Sequence, residues 1–129
     1  LIDLNPSREV GVEEFCDQWL LAWTGNKVER LLNFYADTFT YLDPANPRGI
    51  SNKSQFKKYL TRLLAKYPTW VWGRQELYLT EKGFLLKWKA TLESGKSFYG
   101  LDLVELDGMK KITRNEVYFD PTSLYFPPL

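Results

Sequence analysis

The chain predicts an α+β fold, with a layer of helices set against one face of a mainly antiparallel sheet. Three observations predict it. Apolar residues recur at helical spacing through the first half, four long alternating segments fill the second half, and the breaks between those segments are only a few residues long. Short breaks join antiparallel neighbours, because a parallel crossover needs a dozen residues or more. With 129 residues, 44% of them apolar, the chain suits one domain, 1–129, with a real core.

The elements follow in order. "VEEFCDQWLLAW" puts Val12, Phe15, Cys16, Trp19, Leu20 and Trp23 on one face of a first helix, which "TGN" stops at Gly25. "KVERLLNFYAD" predicts a short second helix with Val28, Leu31, Leu32 and Tyr35 on one side. "TFTYLDP" is a strand that ends at Asp43-Pro44, in a turn reinforced by Pro47 and Gly49. "NKSQFKKYLTRLLAKYP" is a third helix, with Phe56, Leu60, Leu63 and Leu64 inward, halted before Pro68. The strands "WVWGRQELYLT", "FLLKWKATLE", "SFYGLDLVEL" and "KITRNEVYF" are divided by "EKG", "SGK" and "DGMK". In the second of these, Phe84, Leu86, Trp88, Ala90 and Leu92 face one way, and Lys87, Lys89, Thr91 and Glu93 the other. That single apolar face meets the helices, and a twisted, bent sheet wrapped over them leaves a hollow between the layers. The tail "PTSLYFPPL" is Pro-rich and irregular.

Composition closes several routes. The formal charge of +1 gives no pull toward nucleic acid or an acidic membrane, and the pairs Lys57-Lys58 and Lys110-Lys111 read as solvated faces. No apolar run approaches the ~20 residues that span a bilayer, and the start does not resemble a signal peptide. The one cysteine, Cys16, excludes an intrachain disulfide, reads as a small core residue, and fits a reducing, cytoplasmic setting. There is no histidine, which rules out Ser-His and Cys-His nucleophiles and histidine-based metal sites. The expectation is chemistry with no cofactor and no metal.

Two acids stand out. Asp102 interrupts the apolar strand "KSFYGLDLVEL", although aspartate is among the residues least suited to a strand. By alternation it shares a face with Phe98, Gly100, Val104 and Leu106, and Gly100 beside it leaves room. Buried there, it favours its neutral form, a good donor to a developing oxyanion. The competing reading is an exposed edge or an ion pair with Arg74 or Arg114. Asp43 closes "FTYLDP" in parity with Phe39 and Tyr41, so it reads either as a carboxylate at the mouth of the hollow or as an ordinary turn former. One ionised acid and one protonated acid together make a base and an acid from the same side chain. Phe15, Trp19 and Trp23 form an aromatic stripe on the first helix, and Trp70, Trp72 and Trp88 add rings from the strands.

The stretches "LLNFYADTFTYLDP" and "FYGLDLVELDGMKKITRNEVYFDP" resemble the ketosteroid isomerase and SnoaL-like group of the nuclear transport factor 2-like superfamily, from about Val12 to Leu124. The resemblance implies a cone: a curved, mainly antiparallel sheet around three helices, a deep apolar pocket, and dimerisation through the sheet. It implies that Asp43 is the proton-shuttling base and Asp102 the protonated donor. The tyrosine of helix one falls on Trp19, whose indole N–H donates but neither accepts nor ionises. The pocket walls are then Phe15, Trp23, Phe39, Tyr41, Phe56, Leu60, Trp72, Leu86, Trp88, Gly100 and Tyr118. Polyketide cyclases of the group often pair an aspartate with a histidine, which is absent here. Epoxide hydrolases on this fold use an aspartate–arginine–aspartate set, for which Arg74 or Arg114 is the candidate middle member. The expected activity is isomerisation or cyclisation of a small apolar carbonyl compound; the alternative is a non-catalytic ligand-binding or dimerising domain of the same fold.

Overall fold

The computed structural model describes residues 6–120 and 122, and the Pro-rich tail lies almost wholly outside them. Three helices, α1 (Pro6–Ala22), α2 (Val28–Leu32) and α3 (Lys53–Lys66), accompany six strands: β1 (Tyr35–Asp43), β2 (Asn46–Asn52), β3 (Val71–Leu79), β4 (Gly83–Thr91), β5 (Ser97–Leu106) and β6 (Ile112–Phe119). They form one curved sheet in the order β2-β1-β6-β5-β4-β3. The α+β class and the antiparallel run from β3 to β6 agree with the pattern in the sequence. The β1–β6 pair is parallel, the only such pair among the described strands. Its crossover is everything from β2 to β5, so no local spacing announced it.

Two local expectations change. Tyr35 does not extend the second helix; α2 ends at Leu32 and Tyr35 opens β1, where its register partner is Ile112. The stretch around Pro47 and Gly49 is not a turn but β2, which pairs with β1 through Tyr41–Ile50 and Asp43–Asn46. Proline is accepted there because β2 is an edge strand, where the missing N–H faces no neighbour. Two register shifts in this hairpin absorb its irregular chain.

α3 begins where Asn52 accepts a hydrogen bond from the Gln55 N–H at 2.9 Å, the usual N-cap arrangement. Its buried residues, Phe56, Tyr59, Leu60, Leu63 and Leu64, recur at three-four spacing and drive it into the sheet's concave side. On β4, Phe84, Leu86, Trp88 and Ala90 are fully buried, the predicted inward face. The opposite face of the sheet is open: Tyr78, Tyr99 and Tyr118 are 51%, 60% and 54% exposed. Among the described residues, no helix is long and apolar enough to cross a membrane.

Candidate active site in the aromatic interior

Asp102 sits mid-strand on β5 and is 5% exposed. Its partners come diagonally from the flanking strands. Trp88 on β4 donates its indole N–H to Oδ1 at 2.6 Å, and Asn115 on β6 donates its side-chain amide to Oδ2 at 2.8 Å. Tyr35 in turn donates its hydroxyl to Asn115 Oδ1 at 2.7 Å, so a buried chain runs from β1 through β6 to β5. Loss of water raises the carboxyl's pKa to about 7, against the lowering effect of the Asn115 and Trp88 donors, and the negative charge of Asp43 adds to the rise. The ion-pair alternative is not what forms. Arg74 bonds Asp17 and Glu13 on α1, while Arg114 bonds Glu105 and Glu116 on the sheet's far face. Neither arginine reaches Asp102 or Asp43, so the aspartate–arginine–aspartate arrangement is not assembled.

Asp43 takes the second of its two readings, that of a turn former. It is buried, at 4% exposure, and both its oxygens are taken up. Oδ1 accepts the Ala45 N–H, the Asn46 N–H and the Asn46 side-chain amide at 2.8–3.0 Å. Oδ2 accepts the Tyr41 and Tyr59 hydroxyls at 2.7 and 2.6 Å. Five donors fill the acceptor capacity of one carboxylate. The carboxyl closes the β1–β2 turn and ties it to α3; it does not line the hollow. The turn-forming reading is the one this geometry matches.

The hollow itself has a volume of about 20 Å³ and is walled by Trp19, Trp23, Trp70, Trp72 and Trp88, with Asp102 and a few other side chains completing it. All five tryptophans of the chain therefore converge on one place. Trp72 is central, with ring centroids 4.6 Å from Trp88, 4.9 Å from Trp70 and 6.0 Å from Trp23. Such a volume holds one or two waters. The indole N–H groups of Trp19 and Trp72 are buried with no partner in hydrogen-bonding geometry, and both rings line the hollow; the Trp19 N–H nevertheless lies beside the Tyr35 hydroxyl and lowers its pKa, which leaves Trp72 as the unmet donor. An orphan donor in the wall it shares with a buried carboxyl marks a polar spot in an apolar chamber, at a cost of about 1–3 kcal/mol for the unmet group. Trp72 and Phe119 are the half-buried members of the wall, and Trp72 stands on the edge strand β3.

Of the predicted lining, Trp19, Trp23, Tyr41, Trp72, Trp88 and Asp102 meet at the hollow. Phe39, Phe56, Leu60 and Leu86 do not; they are packed in the solid core. Phe15 packs edge-on against Phe34 and Phe84. Tyr118 points out of the other face and bonds Glu116, because alternation along β6 sends it opposite to Val117 and Phe119. Gly100 makes room, but for Trp88: a Cβ there would come within 2.3 Å of its ring. Asn115 and Tyr35 escaped the sequence reading. The available signal was an asparagine in parity with Val117 and Phe119, which sends a polar amide to the buried face. Cys16 is fully buried, and burial pushes its thiol up to about 12, which suits an inert core residue.

No family model and no curated protein matches the chain. Solved structures do. A SnoaL-like protein of unknown function from Burkholderia thailandensis superposes with a TM-score of 0.73 at 17% identity, covering 84% of this chain and 94% of its own. A structure from Shewanella putrefaciens, provisionally named a SnoaL-like polyketide cyclase, gives 0.74 at 14% identity, with 95% and 91% covered. An NTF2-like protein of unknown function from Cytophaga hutchinsonii gives 0.68 at 14% identity, with 86% and 91% covered. At these identities it is the architecture that is shared: this chain has the NTF2-like, SnoaL-like fold, with a small tryptophan-lined hollow that a buried aspartate helps to wall.

Proposed function

We propose that the chain binds a small, mostly apolar carbonyl compound in the tryptophan-lined hollow and moves a proton on it, as in isomerisation or aldol-type cyclisation, through carboxyl chemistry centred on Asp102. The observation that carries this reading is a buried carboxyl lining a chamber whose wall also holds the unmet indole N–H of Trp72, with burial raising the carboxyl's pKa to about 7. A group that gains and loses its proton near pH 7 suits acid and base work alike. Ionised, Asp102 takes the proton from the carbon next to the carbonyl and, protonated in turn, gives it back, while the Trp72 indole N–H donates to the carbonyl oxygen and favours the enolate over its parent ketone. The sequence resemblance casts Asp43 as the base, yet its five donors occupy the lone pairs a substrate proton would need. We therefore assign the proton-moving role to Asp102 and the turn-holding role to Asp43. The hollow as it stands holds one or two waters, so a carbonyl ligand requires its wall to rearrange.

Incubating the protein with small cyclic enones in deuterated buffer tests this. Exchange at the carbon next to the carbonyl is expected, and Asp102→Asn should slow it by about 10²–10⁴-fold, the usual contribution of a placed general base, with binding kept within a few-fold. Tight binding with no exchange would replace this reading by the second one, a non-catalytic ligand-binding domain of the same fold. We also infer that the outer face of the sheet, with Tyr78, Tyr99 and Tyr118 exposed, seats a second copy of the chain. Sedimentation should give a dimer that Tyr99→Lys converts to monomer; a wild-type monomer at high concentration excludes it.

A further inference from the structure

We propose that Tyr35 and Asn115 are a positioning pair that keeps the acidic proton of Asp102 pointed into the hollow. An asparagine side chain has two faces, a donor and an acceptor, and can present either to a neighbour. Here the Tyr35 hydroxyl donates to Asn115 Oδ1 at 2.7 Å, which commits the carbonyl end of the amide and turns its NH2 toward Asp102 Oδ2 at 2.8 Å. Trp88 already donates to Oδ1 at 2.6 Å. With an N–H aimed at each oxygen, a protonated Asp102 finds no acceptor on the protein, and its O–H is left for whatever occupies the chamber it lines. Were the amide reversed, its carbonyl would take that proton and the donor would be lost to a ligand.

All four groups are fixed enough for this to hold. Tyr35, Trp88 and Asn115 are at most 1% exposed, and Asn115 has no access to water at all. Burial holds the Tyr35 hydroxyl far above its ordinary range, opposed by the nearby Trp19 indole, so Tyr35 remains a donor. The titratable groups whose charge Asp102 feels or influences are Asp43 and Tyr35 on β1 and Cys16 on α1. None of them is cationic, and the Tyr35–Asn115 pair is thus the adjustable element beside the carboxyl.

The proposal rests on the Asp102 reading above, and the experiment separates the two. Carboxyl-carbon NMR follows the titration of Asp102, and the side-chain NH2 signals of Asn115 are followed in parallel. Tyr35→Phe removes one oxygen and frees the amide to reverse. The expected result is a rise in proton affinity of Asp102 of about tenfold, one pH unit, with loss of the Asn115 NH2 shift that accompanies the titration in the parent. An unchanged midpoint in Tyr35→Phe, with Asp102 still titrating near neutrality in the parent, overturns the positioning pair and leaves the Asp102 reading standing. An ordinary aspartate titration in the parent overturns both. Should Tyr35→Phe fold poorly, the parent alone decides: Asn115 NH2 signals that do not move with the Asp102 midpoint rule the pair out.

Discussion

The two buried aspartates stand in one interior, one at the end of β1 and one mid-strand on β5, and they are equipped in opposite ways. Asp43 has five donors on two oxygens and does not line the hollow. Asp102 has two donors, a hollow of about 20 Å³, and the unmet indole N–H of Trp72 in the same wall. One end is complete without a ligand. The other is short of partners, and an interior tolerates unmet polar groups where they serve a purpose beyond folding. Burial alone therefore does not make an aspartate a reacting group; the number of lone pairs left over decides.

That contrast can be broken most forcefully at Asp43. Asp43→Leu orphans two tyrosine hydroxyls, two backbone N–H groups and an amide in one stroke, and should cost about 3–5 kcal/mol in a denaturant titration. A loss under about 1 kcal/mol would mean that these bonds are replaceable by water and that the end is not closed.

At the other end, the pH dependence of stability sharpens the comparison. Folding raises the proton affinity of Asp102 from the ordinary carboxyl range to about 7. Below about pH 4 both folded and unfolded chains carry the proton. As pH climbs, the unfolded chain releases it first, so the folded state loses stability between about pH 4 and pH 7 and then levels off. Asp102→Asn cannot titrate, so the stability difference between variant and parent should shift by a few kcal/mol in the variant's favour across that window. Parallel pH profiles for parent and variant would show that Asp102 is not perturbed.

The smallest of these effects concerns the floor under Trp88. Gly100→Ala places a methyl within 2.3 Å of the indole and 2.6 Å of the Tyr118 carbonyl oxygen. The ring must move, and an overpacked site of this kind costs about 1–3 kcal/mol. Because Trp88 holds Asp102 Oδ1, the Asp102 titration should move as well. A stability loss with no change in that titration would uncouple the ring from the acid.

Much of this molecule is legible in the order of its residues. Three-four spacing located α1 and α3, strict alternation located β4 and its inward rings, and an aspartate among apolar strand neighbours singled out Asp102, since each pattern is a local periodicity that water and apolar surface sort in the same way everywhere. The β2 strand was hidden by Pro47 and Gly49, whose meaning depends on whether a strand lies at an edge. Other features were settled only when distant elements met. The parallel contact of β1 with β6, the saturation of Asp43 by Tyr59 from α3, the gathering of all five indoles and the Tyr35–Asn115–Asp102 chain each join residues far apart in the sequence. Hydrogen-bond supply and free volume are properties of such meetings, so the sequence could nominate two acids, and only the packed chain could say which of them still has something to give.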